Sequence, residues 1–384
     1  MQIPVFTTIE EIEKEFQIQF PDEEKENLKK VLAIHPMRIP VYYANLINWQ
    51  DSKDPIKKIV FPSVEELNLI GSYDTSGERE NTVLTGLQHK YKETVLLLAT
   101  NICAGYCRHC FRKRMVGVST DETLKIFDEA LEYIKNHPEI TNVLISGGDP
   151  LVLPTEIIEY FISELSKIKY LKFIRFGSRV PVYYPMRIYE DIKLLKIFSK
   201  YSTPERRIYL VTHFNHPKEL TENAKKSIDA LLKSGVIVSN QTVLLKGVND
   251  DPEVLATLMK NLVATGVVPY YVFQCRPVKR VKAHFQVPLK DGCEIVEKAK
   301  QKLDGHAKRF KYIMSHKTGK IEIIGIIGED IYLKYHQCKD PAKVGELFKR
   351  KLTPNAGWLD DLEVIHPYKD PVTEVLNMYN YNII

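Results

Sequence analysis

The stretch VLLLATNICAGYCRHC, residues 95–110, runs a short aliphatic segment straight into three cysteines spaced C-x3-C-x2-C. An apolar run of this length that ends in polar residues reads as a buried strand. Cysteines that follow it sit at the strand's carboxyl end, where parallel α/β folds bind their ligands. Three thiols form an odd set. A structural zinc site takes four ligands, and a disulfide framework takes cysteines in pairs. Cys103, Cys107 and Cys110 match three irons of a [4Fe–4S] cube and leave the fourth iron to an external chelating ligand. Gly105 eases the tight turn between the first two. On spacing alone the alternatives are a zinc site completed by His109 or by a distant residue, or unligated thiols.

Outward from this stretch, similar runs recur: NVLISGG (142–148), FIRFGSR (173–179), RIYLVTHF (207–214), VSNQTVLL (238–245) and PYYVFQC (269–275). Helical segments separate them. The clearest is STDETLKIFDEALEYIKNHP, with Ser119 and Glu122 as a capping box, apolar residues at Leu124, Phe127, Leu131 and Ile134, and a stop at Asn136-His137-Pro138. Strand and helix alternating at about thirty residues predict an α/β fold with a parallel sheet. Six such units fall short of the eight of a closed barrel. The reading is therefore an open, partial (βα)6 TIM-like barrel, with a flat doubly wound sheet as the alternative. Domain bounds follow: an N-terminal helical and irregular extension over 1–92, the barrel over 93–300, and a C-terminal segment over 301–384. In the first, Thr8 and Glu11 make a capping box, and Pro21 and Pro36 interrupt the helices.

The remaining composition is unremarkable for nucleic acid: 54 basic against 49 acidic residues give a net charge of +5 over 384 residues. Two local clusters stand out, Arg108, Arg112, Lys113 and Arg114 beside the last cysteine, and Arg276, Lys279, Arg280 and Lys282. Each is either a solvated face or a pocket for anions. MQIPVFTTIEEIEKEF lacks the basic start and apolar run of a signal peptide, and no window is apolar enough to span a bilayer. These features predict a cytoplasmic protein with reduced thiols, with no membrane or nucleic-acid partner.

The cysteine array after the first strand resembles the radical S-adenosylmethionine superfamily. Ser146-Gly147-Gly148-Asp149-Pro150 resembles that superfamily's glycine-rich motif beside the methionine amino group. YCRHCFRKR, LISGGDPL, FGSRVPV, THFNHP and NQTVLLKGVND together resemble the lysine 2,3-aminomutase family, over about residues 36–325. The resemblance implies an isomerase that moves an amino group between α and β carbons, using a [4Fe–4S] cluster, S-adenosylmethionine and pyridoxal phosphate. It implies Cys103, Cys107 and Cys110 as cluster ligands. Gly147, Gly148, Asp149, His213 and Gln241 would border S-adenosylmethionine, and Arg112 would pair the substrate carboxylate. Lys320, after Gly319, is the candidate to carry pyridoxal phosphate, with Lys317 as fallback; the bland alternative is an exposed hairpin with a solvated lysine. Lys90 and Tyr91 would approach the same cofactor, lysine standing where the family has arginine. An external electron donor such as flavodoxin or ferredoxin is implied as partner, and an oligomer is compatible. His216 reads as a cap of the next helix.

Three departures bear on the substrate. Arg276 stands where the lysine enzyme has a carboxylate for the substrate's side-chain ammonium, and the second such position falls near Met314 or Ser315. A guanidinium repels an ammonium, so an anionic substrate such as glutamate fits better than lysine. The glycine-rich loop before Lys320 is short. Cys338 stands alone and Asp251 replaces a distant thiol, so no structural zinc is expected. Alternative readings are a family enzyme without pyridoxal phosphate, one acting on a translation-factor lysine, or an iron–sulfur electron carrier. A carrier has no use for the SGGD segment.

Overall fold

A computed structural model describes residues 3–365. The end of the C-terminal segment, from 366 onward, lies outside the described residues. Thirteen strands form one sheet whose spatial order follows the chain. In chain order they are β1 (Thr82–Leu84), β2 (Leu87–Tyr91), β3 (Thr94–Thr100), β4 (Asn142–Gly147), β5 (Phe173–Gly177), β6 (Arg207–Thr212) and β7 (Ile237–Leu244). The rest are β8 (Val268–Gln274), β9 (Lys311–Ser315), β10 (Gly319–Ile327), β11 (Asp330–Cys338), β12 (Leu347–Lys351) and β13 (Glu363–Val364).

Strands β3 to β9 pair in parallel, each with its successor. Helices fill every crossover: α1 (Phe127–Lys135), α2 (Thr155–Ser166), α3 (Ile192–Tyr201), α4 (Glu222–Lys233), α5 (Pro252–Ala264) and α6 (Leu289–Gln301). The six expected βα units are present, and a seventh parallel strand follows them. Sequence reading passed over β9, because Lys311-Tyr-Ile-Met-Ser315 is short and is followed by a turn rather than a helix. Antiparallel strands extend both edges, so the sheet crosses residues 92 and 300 without interruption.

Alternation along the strands explains the curl. On β5, Ile174 and Phe176 point outward and are fully buried beneath helices, whereas Phe173, Arg175 and Gly177 face a central cavity. On β7, Ile237, Ser239, Gln241 and Val243 face the cavity, and Val238, Thr242 and Leu244 pack outward. A period of two thus separates the side chains packed beneath the helices from those that line the cavity. Each aliphatic or phenylalanine side chain withdrawn from water on the outer face contributes about 1.5–3 kcal/mol. Thr94 on β3 and Tyr270 on β8, five strands apart, line the same cavity. A flat sheet cannot bring them together. The sheet is a curved, open α/β wall rather than a closed barrel.

Near the N-terminus, the Thr8–Glu11 capping box forms and opens the helix Ile9–Phe16. The box expected at Ser119 and Glu122 does not. Helix α1 begins at Phe127, and the Glu122 carboxylate instead accepts from Arg114 Nη2 at 2.7 Å and Nε at 3.0 Å. An ion pair to a largely buried guanidinium outweighs a neutral cap. Leu124, expected on the helix, instead donates its amide to Leu98 O. Phe127, Leu131 and Ile134 are buried as their spacing predicts, and the helix ends at Asn136.

Candidate active site

A cavity of about 650 Å³ fills the inside of the curved sheet, within the range of ligand-binding cavities. Cys103, Cys107 and Cys110 lie on its wall, and so do Gly147, Gly148, Asp149, His213, Gln241, Lys90, Tyr91, Arg112, Arg276 and Lys320. The residues singled out from sequence therefore converge. Lys317 is exposed, and His89 turns away to bond Tyr133. His216 caps a turn by accepting from Lys218 N, as expected. Asp251 caps α5. Cys275, Cys293 and Cys338 are buried free thiols.

The cysteine loop is held by backbone. Gly148 N donates to Thr100 O and Asp149 N donates to Ile102 O at 2.8 Å. Tyr106 N bonds Arg38 O, and Arg108 N bonds Ile59 O. The glycines follow from this contact. A Cβ on Gly148 would stand 2.3 Å from Ile102 O, and one on Gly147, whose φ is +107°, would meet Thr100 O at 2.5 Å. Gly105 is required by close packing rather than by a turn: its Cβ would press on Pro40 and Tyr183. Leu98, Met115 and Val116 form an apolar pad behind Cys103 and Cys110.

The basic cluster around Cys110 is neither a solvated face nor a free anion pocket. Arg108 and Lys113 share buried Glu66, each at 2.6 Å. Arg112 and Arg114 share buried Glu78, at 2.9 and 2.7 Å. Burial pushes each glutamate up, but the paired cations outweigh it and hold both at about 2. Arg112 also donates to Ser146 Oγ and Gly147 O. Glu78→Ala strands the buried Arg112 guanidinium, while Arg114 keeps Glu122, and an expected loss of about 3–5 kcal/mol would appear as a lower urea midpoint at unchanged slope. An unchanged midpoint would show that the pair carries no stability.

Deeper in the cavity the charge is one-sided. Lys320 Nζ lies 5.2 Å from the Tyr91 ring centroid and donates to Gln337 Oε1 at 2.7 Å. It sits on β10, opposite Ser315, just after the turn His316–Thr318. The hairpin anticipated as the bland alternative is real, yet the lysine faces the cavity rather than bulk water. Burial, and then the charges of Arg175, Lys90 and Arg276, bring it down to about 7. Lys90 is brought to about 8 by burial and by Arg276, and its amine donates to His316 O and Ser76 O. Arg276 donates to Ser76 Oγ and Ser315 Oγ and stacks 4.0 Å from the Phe111 ring centroid. Arg175 lines the same region and leaves its buried Nε without a partner. It was overlooked in the sequence, although a charged residue inside the apolar strand FIRFG was a usable signal. Gln337 carried no such signal.

The lining thus fits the groups that the family resemblance implied. Three thiols share one wall with an unpartnered His109 Nδ1 nearby, and an excess of buried cations suits a phosphate and a carboxylate. A profile of the radical SAM superfamily matches residues 97–259. A protein of Aquifex aeolicus described as a putative L-lysine 2,3-aminomutase is 43% identical over 366 residues, covering 95% of this chain and 98% of that protein. The chain belongs to the lysine 2,3-aminomutase family. Other relatives include the L-lysine 2,3-aminomutase of Clostridium subterminale, 39% identical over 76% of this chain and 68% of that one. The glutamate 2,3-aminomutase of Clostridioides difficile is 36% identical over 73% and 65%. As a lysine 2,3-aminomutase family member, the chain is a radical S-adenosylmethionine isomerase using a [4Fe–4S] cluster, S-adenosylmethionine and pyridoxal phosphate. No helix among the described residues is long and apolar enough to cross a membrane.

Proposed function

We propose that this aminomutase acts on a small amino acid whose side chain carries no ammonium group, with glutamate-like substrates favoured. The observation that carries this is the charge inventory of the cavity. Among the described residues, Glu78 and Asp149 are its lining carboxylates. Glu78 is committed to Arg112 and Arg114. Asp149 accepts from Arg179 N at 2.7 Å and Leu151 N at 3.0 Å. Neither is left to receive a substrate ammonium, and an ammonium among Lys90, Arg276 and Lys320 would cost several kcal/mol. The same argument counts against a lysine side chain presented by a translation factor. An anaerobic screen of the twenty amino acids for β-amino products tests the proposal. Lysine as best substrate would overturn it.

When bound, the cluster with S-adenosylmethionine would supply a primary-carbon radical able to take hydrogen from an unactivated carbon, and pyridoxal phosphate would supply the conjugated π system that lets the amino nitrogen shift between neighbouring substrate carbons. In this reading Cys103, Cys107 and Cys110 hold the cluster. Gly147, Gly148, Asp149, His213 and Gln241 border S-adenosylmethionine. Burial, with the Arg179 charge, brings His213 down to about 4, so its imidazole stays neutral and can accept as well as donate. Arg112 orients the substrate carboxylate with its remaining donors, and Arg276 takes the side-chain anion. Lys90 and Tyr91 flank the pyridoxal phosphate, and Lys320 carries it. The apolar pad behind the cysteines shields that side of Cys103 and Cys110 from water. A low-potential electron donor such as ferredoxin or flavodoxin would reduce the cluster in the cytoplasm, and the bounds 1–92, 93–300 and 301–384 describe insertion of the barrel between two extensions. Cys107→Ala is expected to lose the iron-dependent visible absorbance and all dithionite-driven release of 5′-deoxyadenosine. Retention of both would remove Cys107 from the ligand set.

A further inference from the structure

One of the three cysteines differs from the others in what surrounds it. Cys107 Sγ lies 2.9 Å from Arg179 Nη1 and 3.0 Å from the Tyr183 hydroxyl. Both groups are buried, and Arg179 also donates to the Tyr183 oxygen at 2.7 Å. The guanidinium stacks 4.3 Å from the Tyr183 ring centroid. Its far nitrogen, Nη2, donates to Glu219 Oε1 at 2.6 Å.

Glu219 is itself fixed. Its Oε1 also accepts from the Tyr43 hydroxyl, and its Oε2 accepts from the amides of Asn215 and His216. Glu219 and Tyr43 are completely buried. The ion pair is therefore locked with its cation toward the sulfur and its anion away. The sequence FGSRVPVY carries both donors four residues apart on one short helical turn, Val180–Tyr183, which begins just after Arg179. This arrangement serves no substrate contact that the cavity needs, since the two carboxylate-binding roles are met by Arg112 and Arg276.

We propose that Arg179 and Tyr183 raise the reduction potential of the iron–sulfur cluster by donating hydrogen bonds to the Cys107 sulfur. The proposal rests on the reading of Cys107 as a cluster ligand. Adding one electron to the cluster increases the negative charge on its thiolate sulfurs. Donors and a fixed positive charge at one sulfur stabilise that added charge, and hydrogen bonding to ligand sulfurs is a recognised control of cluster potential. In a pocket shielded from water the effect is not screened. The electron comes from an external one-electron reductant and leaves into the sulfonium, so the network alters how readily the first transfer occurs and consumes nothing.

The test uses the full chain, reconstituted anaerobically with iron and sulfide, as wild type, Tyr183→Phe, Arg179→Lys and Tyr43→Phe. Iron and sulfide are counted first. The reduced cluster is then titrated by electron paramagnetic resonance against dithionite, without S-adenosylmethionine. Tyr183→Phe and Arg179→Lys are expected to hold the wild-type iron content and show about a tenfold lower ratio of reduced to oxidised cluster at fixed potential, a shift of about 59 mV to the negative for one electron. Tyr43→Phe also loses a buried hydroxyl, but one step from the sulfur, and should stay within about twofold of wild type. A wild-type midpoint in either iron-replete donor variant overturns the proposal. If one variant fails to retain iron, the other decides. If both fail, the residues hold the thiolate without poising it, which also overturns the proposal. A wild-type protein that binds no cluster would instead refute the ligand reading itself.

Discussion

Lys320→Ala abolishes the visible absorbance that pyridoxal phosphate gains on joining a lysine amine, and Lys317→Ala preserves it. Borohydride reduction followed by peptide mass analysis should find the adduct on Lys320 and nowhere else. The reasoning starts with the pocket. Lys320 projects from β10 between aromatic rings and faces Lys90, Arg175 and Arg276. Burial and these like charges favour the uncharged amine, which is the nucleophile. With the group at about 7, the amine is free above that pH and protonated below it. At about pH 8 an ordinary lysine is about 0.3% free base, so the advantage is roughly 300-fold. The rate of covalent loading in protein first freed of the cofactor should rise through an apparent pKa near this value and flatten above it. A rise that continues toward 10.5 would show an ordinary, solvated lysine.

Arg276→Ala should reduce kcat/KM for the best anionic substrate by about 30-fold or more while leaving pyridoxal phosphate stoichiometry at one per chain, because removing one partner of a buried charge pair costs about 2–5 kcal/mol. The guanidinium is held from below by Ser76 and Ser315 and stacked on Phe111, so its direction is set before substrate arrives. Preset geometry of this kind raises affinity by cutting the ordering cost. Arg276→Asp inverts the sign of the site. Lysine turnover should then rise relative to the anionic substrate, as it removes the repulsion and supplies the missing carboxylate. Loss of bound pyridoxal phosphate in Arg276→Ala would assign the guanidinium to the cofactor's phosphate. Lysine turnover unchanged in Arg276→Asp would show that the position does not read the side chain.

Much of this site was legible in the residue order because strand ends are where parallel sheets put chemistry. The cysteines, SGGD, His213 and Arg276 each follow or close a recognisable apolar run, Gln241 lies within one, and all reach the cavity. What was illegible depended on partners distant in sequence. Nothing local to Glu66 or Glu78 shows that they neutralise the cations around Cys110. Glu122 looked like a helix cap because the local pattern is complete; Arg114, eight residues earlier, claims it through a tertiary contact. Arg175 was concealed by strand composition, and Gln337 by lying on β11, whose pairing with β10 brings it beside Lys320. Lys320 itself was found by its Gly-Lys neighbourhood, whereas its environment needed the hairpin to be seen folding inward.

The bonds that tie the cysteine loop to Gly148, Asp149, Arg38 and Ile59 are made between backbone groups and use none of the thiols. Zinc fingers behave oppositely, since for them metal and fold are gained together. A protein of this kind that loses its cluster to oxygen should keep its shape as an intact empty vessel, protected from degradation and ready for refilling. Recovery after an oxidative episode would then be limited by the supply of iron and sulfide, not by new synthesis of the polypeptide.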